Sequence, residues 1–354
     1  MNVRLIGRTG VALMLTVIAP GEHLSAGKAA VEPANQGTKW TAPRTPWGHP
    51  DLQGVWTTTG MRFVPLERAR QLGTRGTLNE QEYARRVAAN PDKGETLTMG
   101  IAERTAQISR QASLVVDPAD GRIPLTPIAL EELKKREREL LIENPERSSS
   151  GIGAMTDSEL SGRPLFRGDD WEPASVADMD LWDRCISRGL PGVMVPTAYN
   201  NAVQIMQTPD HVVIWYELLT KRIIPLDRRP HLNSSIRSWE GDARGRWEGD
   251  TLVVDTTNFR EQRGRVRQYG SFDGGSSEMH VVERFTRVNA DTIKYEGTVM
   301  DPTVFTVPFT LGLALERDAG YRLFEYACHE GNRSMEVRLS GARAKEEKTE
   351  KVIR

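Results

Sequence analysis

The sequence predicts a mainly β protein, an antiparallel up-and-down barrel with an N-terminal α-rich segment packed against it. Three observations carry this expectation. After Gly189 the hydrophobic period changes from helical to alternating and stays that way. Turn signals cut that region into about eight strand-length runs. An antiparallel sheet of that size commonly closes into a barrel, because closure removes exposed edges. A two-layer sandwich is the competing arrangement of the same strands.

Taken in order, residues 1–30 read as a signal peptide. Arg4 and Arg8 supply a positive start, Thr9 to Ala19 an apolar run too short to span a membrane, and small residues follow Pro20 and Gly21. An uncleaved N-terminal anchor is the alternative. Residues 31–52 form a Pro-rich extended arm that Trp40 and Trp47 could pin to the body. Residues 53–188 are the α-rich segment with short strands. It opens with a strand at Gln53 to Thr57, and Leu78 to Ala89 has helical spacing. Ser113 to Leu125 reads as two short strands around an Asp-Pro-Ala-Asp-Gly turn. Thr126 caps a helix with Pro127 at its first position, and a further helix is expected from Ala174 to Arg188.

The barrel domain is expected over 189–340. Its candidate strands are Ala202–Gln207, His211–Leu219, Arg222–Leu226, Arg246–Thr257, Met279–Val288, Thr292–Asp301, Val304–Leu313 and Tyr321–His329. Turns separate them at 208–210, 248–250, 289–291, 301–302 and 317–320. Residues in 304–311 and 321–329 are apolar on both faces, so the α-rich segment or a partner subunit should cover part of the outer wall. Residues 341–354 read as a charged, frayed tail.

Composition narrows the function classes. The formal charge is -1 and the basic residues are dispersed, which argues against a nucleic-acid surface. Past the first thirty residues no apolar stretch is long enough for a membrane span, so the expected location is periplasmic or secreted. Cys185 and Cys328 are the two cysteines. In an oxidising compartment they either pair or stay buried as thiols.

Sequence similarity adds one expectation. Gly54-Val55-Trp56 resembles the Gly-x-Trp of lipocalin-like barrels, in which the Trp plugs one barrel end. The runs PWGHPDLQGVWT (46–57), RWEGDTLVVDTTNF (246–259) and YACHEGN (326–332) resemble signatures of a large group of secreted bacterial proteins. That resemblance implies export and a shared fold, and supplies no activity.

No P-loop, dinucleotide fingerprint, His-Glu-x-x-His, Cys-x-x-Cys or Gly-x-Ser-x-Gly run is present, so no cofactor is expected. What remains is ionisable residues on strands. His329 and Glu330 end the last candidate strand, while His280, Glu283 and Asp255 lie on earlier ones. A His beside a carboxylate at a barrel mouth can act as a general acid or base, with His329 paired to Glu283 or Asp255. His280 and Glu283 fall on opposite faces. His231, His280 and His329 have no ligand spacing that marks a metal site. Trp215, Tyr295, Phe309 and Tyr326 are candidates for lining a pocket, or for plain core. The leading expectation is a barrel binding a small amphipathic or aromatic molecule. The alternatives are a cofactor-independent lyase, isomerase or hydrolase, and an interaction module that forms a homo-oligomer.

Overall fold

The computed structural model describes residues 40–88, 108–131, 175–176, 179, 181–197, 200–261, 265–266, 272–273 and 275–353. Among them the strands are β1 (Gly54–Thr57), β2 (Val115–Asp117), β3 (Ala202–Gln207), β4 (His211–Tyr216), β5 (Lys221–Pro225), β6 (Asp242–Glu248), β7 (Thr251–Thr257), β8 (Arg265–Val266), β9 (Phe272–Asp273), β10 (His280–Asn289), β11 (Thr292–Met300) and β12 (Phe309–Arg317). The longer helices are α1 (Glu80–Ala88) and α2 (Ser334–Ile353). Strands β8 and β9 form a separate small ribbon.

The main sheet runs β5-β4-β3-β1-β12-β11-β10-β7-β6, with β2 added on β12. β1 pairs the end of β12 and β2 its beginning, so both sit along one edge of it. Every ladder along the path is antiparallel. An alternating path of nine strands must end on two that point the same way, so β5 and β6 run parallel. They meet by packing rather than by a ladder. A Cβ on Gly245 of β6 would lie 2.6 Å from Leu226 Cδ2 and 2.9 Å from Ile224 Cγ2, so only glycine lets the two ends approach this closely. The result is a nearly closed antiparallel barrel.

Alternation sorts each strand into an inner and an outer face. Trp56, Ile205, Ile214, Leu252, Phe285, Tyr295, Phe309 and Leu313 point inward and are buried. Trp56 is fully buried, with Arg317 at 4.8 Å and Arg287 at 5.5 Å from its ring centre and its indole N–H donated to Leu52 O. Leu52, and not Trp40, pins the arm: Leu52 is fully buried and its amide donates to Gln207, while Trp40 is 39% exposed.

The interior is filled, and part of the filling is charged. Arg222 and Glu283 pair at 2.6 Å with side chains 3% and 0% exposed. Arg222 also donates to Tyr216 Oη at 3.2 Å and Thr256 Oγ1 at 3.0 Å, and Tyr295 Oη donates to Glu283 at 3.2 Å. Burial would lower the Arg222 pKa, but Glu283 and Tyr216 together outweigh it and the net direction is upward. Burial, with Glu283 beside it, raises Tyr295. This network and the aromatic residues share the barrel interior.

Several sequence expectations need correction. The expected strand Tyr321–His329 is irregular chain, and the last strand lies at 309–317 instead of 304–313. The reason is register: β12 finds partners on both edges in β11, β1 and β2, so the chain that follows it cannot pair back onto β12. Arg246–Thr257 is the hairpin β6–β7 turning at Glu248–Thr251. Of the expected helix Ala174–Arg188, described residues 181–185 form turns and 187–188 are irregular, and Cys185 takes a left-handed φ of +54° that ends any helical run there. The Thr126 cap does form, with Ala129 N donating to Thr126 Oγ1, but the described residues end at Glu131. The α-rich segment enters the sheet itself through β1 and β2, so strands from both sides of Gly189 share one barrel. The tail expected to fray from 341 continues as α2, where Ala, Glu, Lys and Arg favour helix and Asn332 caps the Ser334 amide.

Cys185 and Cys328 form a disulfide with Cα atoms 5.6 Å apart. It fastens the irregular C-terminal stretch to residues 181–188, aided by an Arg338–Asp183 ion pair and a Tyr321–Glu217 hydrogen bond.

Candidate functional site

The most concentrated chemistry lies on the outer wall, where β6, β7 and β10 run side by side. Asp255 sits between the inward Val254 and Thr256, so it points out. Its cross-strand neighbours are Arg244 on β6 and Val282 on β10. Asp242 and His280 each lie two residues from those neighbours and share the outer face. Gly241 makes the approach to β6 possible: its φ is +69°, and a Cβ there would lie 2.5 Å from Thr257 O.

The loop between β5 and β6 lays His231 over these strands. Asn258, itself at φ +57°, donates to Leu232 O and Asn233 O, and Arg244 donates to Pro230 O. The Leu232 amide donates to Asp242 at 2.9 Å. His231 Nδ1 then stands 3.1 Å from Asp242 Oδ2, and its Nε2 2.9 Å from Asp255 Oδ1. His280 Nε2 reaches the same Asp255 oxygen at 2.9 Å. The array is a chain, Asp242–His231–Asp255–His280.

Counting donors assigns roles. Both ring nitrogens of His231 stand within hydrogen-bond distance of a carboxylate oxygen, one on Asp242 and one on Asp255. His280 donates through Nε2, which leaves Nδ1 as its lone-pair atom, without a hydrogen-bond partner among the described residues. The hydrogen bond from His280, followed by that from His231, holds the Asp255 carboxyl below its ordinary value against partial burial. Burial pushes Asp242 up, but the Leu232 amide, His231 and Arg244 outweigh it and leave it lowered. Side-chain exposures of 29% for His231 and 35% for His280 keep the rings within reach of a substrate.

Of the residues singled out in the sequence, Asp255 and His280 are brought together. Glu283 is not with them, because it faces inward to Arg222. His329 and Glu330 are exposed in the turn before α2, far along the chain from any strand face. The expected His329 pairing with Glu283 or Asp255 is therefore absent, since residues 321–329 never join the sheet. Tyr295 and Phe309 belong to the core, Trp215 lies on the outer wall at 37% exposure, and Tyr326 is half-buried in the C-terminal stretch. The four do not line a common pocket. His231 was visible only as a possible metal ligand, and its role depends on a loop folding back over the barrel. Among the described residues no group of three or more His, Cys, Asp or Glu is arranged to hold a metal ion.

A second, shallower feature is a cleft lined by Thr58, Arg188, Asn200, Asn201, Glu217 and Leu218. Burial raises the Glu217 pKa against hydrogen bonds from Tyr321 and the Ala202 amide.

Fold and site together define a barrel-shaped antiparallel β protein with an ion pair in its core and an imidazole–carboxylate chain on its wall. No protein-family model, curated protein or solved structure matches the chain. No helix among the described residues is long and apolar enough to cross a membrane.

Proposed function

We propose that this protein is an exported enzyme performing cofactor-independent acid–base chemistry at the outer-wall chain Asp242–His231–Asp255–His280. One observation carries the reading: a single carboxylate oxygen, Asp255 Oδ1, lies 2.9 Å from Nε2 of two half-exposed imidazoles. A carboxylate hydrogen-bonded to one ring nitrogen fixes the tautomer, orients the ring and stabilises its protonated form. His280 Nδ1 takes a proton from a substrate C–H or from water, the resulting imidazolium is held by Asp255, and the same nitrogen returns the proton. His231, held between two carboxylates, orients Asp255 and, when protonated, supplies positive potential that favours a developing anion. This chemistry suits an isomerase, lyase or hydrolase. Export is supported by the layout of residues 1–30 and by the Cys185–Cys328 disulfide, which fits an oxidising compartment.

A second reading, a carrier of a small amphipathic or aromatic molecule, is favoured by the barrel shape. The cleft at Thr58, Asn200 and Glu217 has room for about one water, so such a ligand would enter it only by displacing lining side chains.

The test is to incubate a small-molecule extract of the native host with the protein and with His280→Asn, and to compare products by mass spectrometry. The enzyme reading expects compounds that change with the wild type and not with the variant. An extract unchanged by the wild type, or changed equally by both proteins, would sink it. A compound that co-purifies unaltered, and whose binding Asn200→Ala weakens, would favour the carrier.

A further inference from the structure

We propose that Arg184 and Arg260, which converge on Trp239, together with Arg237 two residues before it in the chain, bind an oxyanion, a carboxylate or phosphate group, of the molecule on which His280 acts. This inference rests on the acid–base reading of His280. Arg260 and Arg184 converge on one indole, their guanidinium carbons 4.9 and 5.6 Å from the centre of the Trp239 ring. Arg237 is fixed from below, its Nη1 donating to Phe259 O at 3.2 Å and to Ser277 O at 2.6 Å. Backbone bonds Ser238 N to Asn258 O and Arg260 N to Ser238 O hold residues 237–239 against the segment that follows β7. Three guanidinium groups are thus placed by backbone and ring contacts.

None of the three has a carboxylate partner among the described residues, whereas Arg222, Arg244, Arg246 and Arg284 each do. The acidic groups nearby are otherwise engaged or turned away. Glu240 is hydrogen-bonded to Ser187 and Thr220, Asp242 is shared by Arg244 and His231, and Glu261 and Glu278 form no ion pair with the cluster. On a chain of formal charge -1, such a group is a local excess of positive charge. A guanidinium fork matches the two oxygens of a carboxylate or phosphate, and a positive patch beside a site raises the local concentration of anions.

Position ties the patch to the site. Arg237 touches the carbonyls of Ser277, three residues before His280, and of Phe259, four residues after Asp255. Three residues span about 10 Å at most, so Arg237 is anchored on the segment that leads directly into the His280 strand.

The test is calorimetric titration of the full mature protein with sodium benzoate and, separately, inorganic phosphate, with ionic strength fixed by sodium chloride. The proposal expects saturable binding of at least one anion, and which one binds tells carboxylate from phosphate. Arg260→Ala and Arg184→Ala should each weaken it about tenfold, because a charge-assisted hydrogen bond is lost. Arg237→Lys keeps the charge but loses the fork, and should weaken it as well. Arg260 is exposed, so its alanine variant tests the patch without endangering the fold. His280→Asn should bind the anion as the wild type does. No saturable binding of either anion, or unchanged affinity in the arginine variants, overturns the oxyanion site. Loss of binding in His280→Asn alone also overturns it, by placing the anion on the imidazole. Normal anion binding together with turnover indifferent to His280→Asn instead removes the acid–base reading and leaves the oxyanion site standing.

Discussion

Glu283→Leu is expected to destabilise the protein by about 3–5 kcal/mol, the cost typical of breaking a buried ion pair from one side. The structure sets this magnitude. Glu283 is fully buried and stands 2.6 Å from Arg222, whose own side chain is 3% exposed. Removing the carboxylate leaves a guanidinium with only the Tyr216 and Thr256 hydroxyls as partners, and strips the Tyr295 hydroxyl of its acceptor. Arg222→Met should cost a similar amount by leaving Glu283 unpaired. In the double variant no charge remains. The loss is then confined to the Tyr216, Thr256 and Tyr295 hydroxyls at about 1 kcal/mol each. The double should therefore lie within about 3 kcal/mol of the wild type, several kcal/mol better than the sum of the singles. Urea unfolding followed by circular dichroism measures all four proteins, provided the m-value stays constant across the cycle. Singles within about 1 kcal/mol of wild type, or an additive double, would refute the view that a desolvated ion pair organises the barrel interior.

Reducing the Cys185–Cys328 bridge closes off a constraint across 143 residues. In the chain-entropy account it should lower stability by about 5 kcal/mol, and urea titration with and without dithiothreitol checks it. The outer-wall carboxylates make stability depend on pH. Asp255 and Asp242 have lowered folded-state values, so their contribution is fully present above the unfolded carboxylate value of about 4 and is lost as pH falls through the folded value. Asp255→Asn should flatten that acid limb and cost about 1 kcal/mol at neutral pH, given its partial exposure. Stability measured at pH 7 and below pH 4 would contradict this if both proteins lost stability equally.

The sequence by itself determined the strands whose side chains alternate cleanly. Ala202–Gln207 is observed with the expected bounds, and His280–Asn289 and Thr292–Met300 fall within one residue of theirs, because burial on one face imposes a period of two wherever a strand lies in a barrel wall. The opposite facing of His280 and Glu283 follows from the same parity, and the Thr126 cap from local hydrogen bonding. The pairing of Cys185 with Cys328 was left open, since spacing along a chain says nothing about distance across a fold. Tyr321–His329 has strand-like alternation yet lies outside the sheet, because a strand needs a free edge as well as a pattern, and β1, β2 and β11 already occupy both edges of β12. Asp255 and His280 were visible as candidates, but His231 reaches them only through a loop clamped by Asn258 and Arg244. The filled interior was equally hidden. Arg222 lies 61 positions before Glu283 and reads as an ordinary exposed strand residue, and only closure of β5 against β6 carries it into the core. Periodicity records which side of a strand is buried; which charges meet on either side is set by strand order, parallel closure and loop return, and those depend on contacts between residues far apart in the chain.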